Sequence, residues 1–178
     1  MVYVLLTNGF EEVEAITPID IMRRAGLEVK TVAIADTLFI TGSHNITVKA
    51  ELNADEVNLK KMDMLVLPGG PGHTTLDEDK YVHEFIDYAA ANDKYIAAIC
   101  ASPSIIGKKG LLKGKKATAF PGFEKYLAGA EVVPDKVVKD GKFITAKGAG
   151  ASAEFGFMLV SLLKDEKTAN ALRESMQY

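Results

Sequence analysis

The sequence predicts an open, doubly wound α/β fold, with a mostly parallel sheet flanked by helices. Two observations carry this. Short apolar runs rich in β-formers alternate with stretches of helical spacing along most of the 178 residues. That alternation requires parallel strands joined by right-handed crossovers. Several runs, such as VYVLLT (residues 2–7) and MLVL (64–67), are apolar throughout, as strands covered on both faces are. With 48% hydrophobic residues, the chain can build one domain over residues 1–178 around a sizeable core.

The elements follow in order. VYVLLT is the first strand, and Asn8-Gly9 turns the chain. EEVEAITPIDIMRRAG then places Val13, Ile16, Ile19, Met22 and Ala25 near helical spacing, with Gly26 as the stop. Pro18 leaves two readings open. Either it kinks one helix, or Thr17 caps and Pro18 opens the main helix, with Asp20 completing a capping box. Residues 28–35 form the second strand, and FITGSHNITVKAE a hairpin around Gly42-Ser43-His44-Asn45. MLVL runs into Pro68-Gly69-Gly70-Pro71-Gly72, residues 79–91 are helical, YIAAI (95–99) is a strand, and PSIIGKK a short helix. KATAF (116–120), EVV (131–133) and KVVKDGKFITA (136–146) read as strands, followed by helices over about 151–164 and 166–176.

Composition excludes several function classes. Twenty-four acids against 21 bases leave a formal charge of −3, so nucleic acid is not expected as the primary ligand. No apolar run approaches the ~18 residues of a membrane span. The N-terminal residues lack the basic start and small-residue cleavage site of a signal peptide, and a single cysteine cannot form an internal disulfide. The expected location is cytoplasmic.

Ligands on such sheets bind beyond the C-terminal ends of the strands, and candidate chemistry collects there. Cys100 follows YIAAI and precedes Pro103 in the first turn of the next helix. A thiol placed so feels the positive end of the helix dipole, which lowers its pKa. The layout is a thiol counterpart of a nucleophile elbow, although a free cysteine is equally at home as a buried small hydrophobe. Gly69 and Gly70 end another strand and could present backbone N–H groups to an oxyanion, or simply make a tight turn. Glu11, Glu12 and Glu14 suit a first helical turn. One of them facing Cys100 could be partly protonated and carry protons. Of the histidines, His73 follows the Gly-Gly turn, His44 lies in the hairpin, and His83 in a polar helix. None has metal-ligand spacing, and no metal is expected. Gly148-Ala149-Gly150-Ala151-Ser152 resembles half of a dinucleotide fingerprint, a weak feature in isolation.

EEVEAITPIDIMRRAG, LVLPGG, AAICASP and GAGASAEFG, in this order and spacing, resemble the ThiJ/PfpI superfamily, in particular its Parkinsonism-associated protein deglycase branch. The resemblance covers nearly the whole chain and implies a flavodoxin-like, class I glutamine amidotransferase-like fold. It implies that Cys100 is the nucleophile and Glu14 the buried acid bonded to it. The backbone of Gly69, Gly70 and Ala101 would form an anion pocket, with no cofactor. It also implies a homodimer through the MRRAG helix, in which His44 of the hairpin stands where this branch often has arginine. Two positions depart from the pattern. Ala101 replaces the histidine of the protease-like branch, which disfavours a peptidase or amidase. Phe120 replaces a histidine of the human-like branch, leaving His73 or a partner's His44 as auxiliary bases.

The implied activity is cofactor-free chemistry on reactive dicarbonyls, either conversion of methylglyoxal to lactate or release of hydroxyacid from glycated amines and thiols. The alternatives are an oxidative-stress sensor or chaperone using Cys100, and a binding module with an idle thiol.

Overall fold

A computed structural model describes residues 1–178. Its centre is a seven-stranded sheet in the order β10-β11-β7-β6-β1-β2-β5, formed by β1 (Val2–Leu6), β2 (Val29–Ala33), β5 (Leu52–Asn53), β6 (Met64–Leu67), β7 (Tyr95–Ile99), β10 (Val137–Asp140) and β11 (Phe143–Ala146). Every pairing is parallel except that of the edge hairpin β10–β11. The strand sides alternate as a sheet buried on both faces requires. Val2, Val4 and Leu6 enter one core with α1 (Glu12–Arg24), α5 (Ser152–Leu163) and α6 (Glu166–Ser175). Tyr3 and Leu5 enter the other, with α3 (Lys80–Ala91) and α4 (Pro103–Lys108). The short α2 (His73–Glu78) lies between β6 and α3.

Pro18 lies inside one continuous α1, so Thr17 caps nothing. Its missing N–H leaves the Glu14 carbonyl without its usual intrahelical partner. The tolerated proline sits at a close approach of α5: a Cβ on Gly156 would lie 3.1 Å from the Pro18 Cα and 2.9 Å from Ile21 Cδ1. The buried face of α1 also differs from the predicted stripe. Val13 and Ile16 are 47% and 40% exposed, while Glu14, Ala15, Pro18 and Ile21 turn inward. The hairpin β3 (Phe39–Thr41) and β4 (Thr47–Lys49) stands outside the main sheet. KATAF and EVV shrink to β8 (Lys116–Ala117) and β9 (Glu131–Val132), a separate two-stranded ribbon. No helix is long and apolar enough to cross a membrane.

Candidate active site

The parallel strands β1, β6, β7 and β11 deliver their C-terminal loops to one edge, and Cys100 lies at its centre. Its φ of +66° is left-handed, a conformation that costs a residue with a Cβ about 1–3 kcal/mol. The neighbours hold it there. The Cys100 N–H donates to the Ala146 carbonyl and its own carbonyl accepts from the Phe120 N–H, both at 2.8 Å. Behind it, Ser102 Oγ donates to the Pro68 carbonyl at 2.5 Å, tying the cysteine loop to the Gly69-Gly70 loop. Nothing in the sequence spacing pointed to Ser102.

Glu14 reaches this cysteine from the first turn of α1. It is 1% exposed, hydrogen-bonds the thiol, and accepts from the backbone of Gly69 and Ala149, the former at 3.1 Å. Gly69 is glycine for a spatial reason: a Cβ there would lie 2.5 Å from Cys100 Cβ and 2.6 Å from Glu14 Oε2. Its N–H is therefore engaged by Glu14. The donors directed at sulfur are the N–H groups of Gly70 and Ala101.

Burial pushes Glu14 up to about 7; the bonds from Cys100, Gly69 and Ala149 oppose it, and the Glu11 charge reinforces it. Burial and then the Glu14 carboxylate push the Cys100 thiol up to about 12, against the Gly70 and Ala101 donors. This reverses the lowered thiol pKa expected from a helix start. The helix in question is six residues long and begins at Pro103, so its dipole is short and removed from the sulfur. Near neutrality the pair surrenders its first proton and retains its second. Such a thiol becomes a nucleophile when its proton passes to the adjacent carboxylate.

The other predicted groups fall into two sets. His73 stays beside the site loops: its Nδ1 donates to the Gly70 carbonyl at 3.0 Å and its ring meets Phe123 edge-on at 5.0 Å. His44 instead joins Glu11, Glu12 and Ser43. Its Nδ1 lies 3.0 Å from Glu12 Oε2 and 3.5 Å from Glu11 Oε1. Glu12 also accepts from the His44 N–H at 2.8 Å and from Ser43 Oγ at 3.1 Å. Burial alone would raise Glu12, but these bonds outweigh it and hold the carboxyl at about 2. The ligand atoms of Glu11, Glu12 and His44 lie within 4.8 Å of one another, a grouping that could receive a metal. Residues 32 apart carry no such spacing in sequence. In this structure they bond each other and pin the hairpin to α1.

On the far side of Cys100, Phe120 (46% exposed) stands over Gly148 and Ala149. A Cβ at Gly148 would come 3.2 Å from the Phe120 ring and 3.6 Å from Glu14 Oε1. The GAGAS segment thus closes the site against Glu14, with Gly148 extended and Ala149–Ala151 a single 3₁₀ turn into α5.

Comparison with known proteins places the chain by sequence and by fold. The DJ-1/PfpI family profile matches residues 1–162. Protein DJ-1 homolog B of Arabidopsis thaliana is 36% identical over 162 residues, covering 89% of this chain and 37% of that protein. The chain spans less than half the length of both Arabidopsis relatives it matches. Deglycase PfpI of Pyrococcus furiosus is 35% identical, with 90% of this chain and 97% of the relative covered. Among solved structures, oxidized Toxoplasma gondii DJ-1 superposes with a TM-score of 0.94 at 30% identity, over 99% of this chain and 97% of that one.

Proposed function

Because the chain belongs to the DJ-1/PfpI family, we propose that it is a cofactor-free, cysteine-dependent enzyme acting on reactive dicarbonyls or their adducts, of the glyoxalase or deglycase type. The observation that carries the reading is Cys100 at φ +66° with Glu14 bonded to its thiol. As sulfur adds to the aldehyde carbon of methylglyoxal, Glu14 takes the thiol proton and passes it to the former carbonyl oxygen, which completes the hemithioacetal and leaves Glu14 a carboxylate again. The N–H groups of Gly70 and Ala101 hold the developing oxyanion, while Gly69 holds Glu14. Glu14 then takes the C1 proton and returns it to C2 through an enediol, while the C1 hydroxyl proton passes to the C2 oxygen, leaving a lactoyl thioester. Water hydrolyses the thioester, releasing lactate and the thiol. For a glycated amine or thiol, the same groups release a hydroxyacid and the free amine or thiol. Phe120 cannot carry protons, so Glu14 serves both transfers, and His73 acts only by supporting the Gly70 carbonyl.

The test is lactate formation from methylglyoxal without glutathione, in wild type and Cys100→Ala. We expect lactate from wild type alone; equal yields from both, or none from either, would overturn the reading.

A second reading has support of its own. The half-buried sulfur of Cys100 faces two N–H donors and an acid that could stabilise a sulfinate, which would make the protein an oxidation sensor. A gain of two oxygens at Cys100 under mild peroxide, with no turnover, would favour it.

The same family reading includes a homodimer. Val13 and Ile16 on α1 and Ile46 on the hairpin are exposed apolar side chains that a second copy could cover. Light scattering is expected to show a dimer for wild type and a monomer for Ile16→Glu; a monomeric wild type would remove this part.

A further inference from the structure

The proposed chemistry leaves one part of the site edge unused. An open cavity of about 400 Å³ is lined by Phe120, Pro121, Lys136, Lys147 and residues 148–151. It adjoins the reacting groups. The Phe120 N–H is bonded to the Cys100 carbonyl, and the Ala149 backbone to Glu14. A space of that size suits a ligand much larger than a three-carbon dicarbonyl.

Lys136 and Lys147 border it, largely through their apolar stems, and no acid does. The β10–β11 ladder pairs Val137 with Ala146, and the Lys147 N–H donates to the Lys136 carbonyl at 3.0 Å. The two lysines therefore continue the ladder as direct cross-strand neighbours. Like charges in that relation destabilise a hairpin, and neither lysine forms an ion pair within the chain. An anion between them would relieve the repulsion.

Resting on the dicarbonyl reading, we infer that the substrate carries an anionic group, a phosphate or carboxylate, remote from its reacting carbons, and that Lys136 and Lys147 receive it past the Phe120 ring. This pair determines specificity; the reacting carbons remain at Cys100 and Glu14.

The test compares kcat/KM for methylglyoxal, hydroxypyruvaldehyde phosphate and 4,5-dioxovalerate in wild type, Lys136→Met/Lys147→Met and the corresponding double arginine variant. Wild type should favour one of the anionic substrates by about tenfold or more. The methionine pair should lower that ratio at least about fivefold and the arginine pair should keep it. Whichever anionic substrate leads identifies the acid. An unchanged ratio in the methionine pair, or no preference in wild type, overturns the inference. Calorimetric titration of inorganic phosphate at fixed ionic strength separates this inference from the parent reading. If no substrate turns over but phosphate binds wild type and is lost in the methionine pair, the anion site stands and the dicarbonyl reading falls. If phosphate binds both alike, or binds neither while no anionic substrate is preferred, the anion site falls.

Discussion

Glu12 and Glu14 lie two residues apart in the first turn of α1, at 7% and 1% exposure, yet their carboxyls move in opposite directions. Glu12 is held at about 2 and Glu14 is pushed to about 7. Burial favours the neutral form of both. Around Glu12 it meets His44, Ser43 and two hairpin N–H groups, which favour the anion. Around Glu14 it meets a thiol and two backbone donors, which fall short, and the Glu11 charge adds to burial. A buried carboxyl is therefore made structural or proton-carrying by its donors more than by its depth. The Glu12 region fixes the hairpin, and the Glu14 region is the one the proposed chemistry uses.

The sharpest way to break the comparison is Glu14→Gln, which keeps the shape and removes the proton traffic. Turnover should fall by about 10²–10⁴, while wild-type kcat/KM should rise with pH through the Glu14 ionisation near 7, because the carboxylate is the base. The stability effect has the other sign. A folded pKa raised above the unfolded value gives stability that is full below about pH 4.5 and lost as pH climbs through 7. Wild type should thus lose about 2 kcal/mol across that window, and Glu14→Gln should not. Urea titrations at pH 5 and 8 check this; parallel losses in both proteins would show that Glu14 is ionised throughout.

Gly69→Ala comes next. Its methyl would overlap Cys100 Cβ and Glu14 Oε2, so a loss of about 1–3 kcal/mol is expected, with reduced turnover. A thermal melt and a crystal structure read it, and an unshifted melting temperature would mean the loop yields freely.

Glu12→Gln should have the smallest effect, about 1 kcal/mol once solvent screening beside the exposed His44 is allowed for. The depressed carboxyl contributes stability above about pH 4.5 that is lost as pH falls toward 2. The wild-type advantage over Glu12→Gln should therefore be present at pH 7 and shrink at pH 3. Hydrogen exchange at the Ile46 amide, which Glu12 accepts at 3.4 Å, locates the loss in the hairpin.

The alternation of strands and helices and the glycine-rich turns at one sheet edge were legible in sequence, which also offered Cys100, Gly69 and Gly70 as candidates; Glu14 was separated from Glu11 and Glu12 only by the family resemblance, and the short β5 and α2 gave no readable pattern. Continuous apolar runs and glycine punctuation are local properties, and parallel strands send their following loops to one edge. The rest depended on groups distant in the chain. Helical spacing selected Val13 and Ile16 for the core, but α1 packs Pro18 and Ile21 against Gly156 of α5, so that Val13 and Ile16 face outward and Glu14 inward. The position of Cys100 beside a helix start suggested a lowered thiol pKa, whereas burial and Glu14, 86 positions away in sequence, raise it. His44 and Glu12, and Lys136 and Lys147, become neighbours only through hairpin register. Sequence alone determined which backbone this chain builds, because periodicity and turn residues act within a few positions. Tertiary structure decided which charges meet, because desolvation and hydrogen bonding depend on what folding brings together.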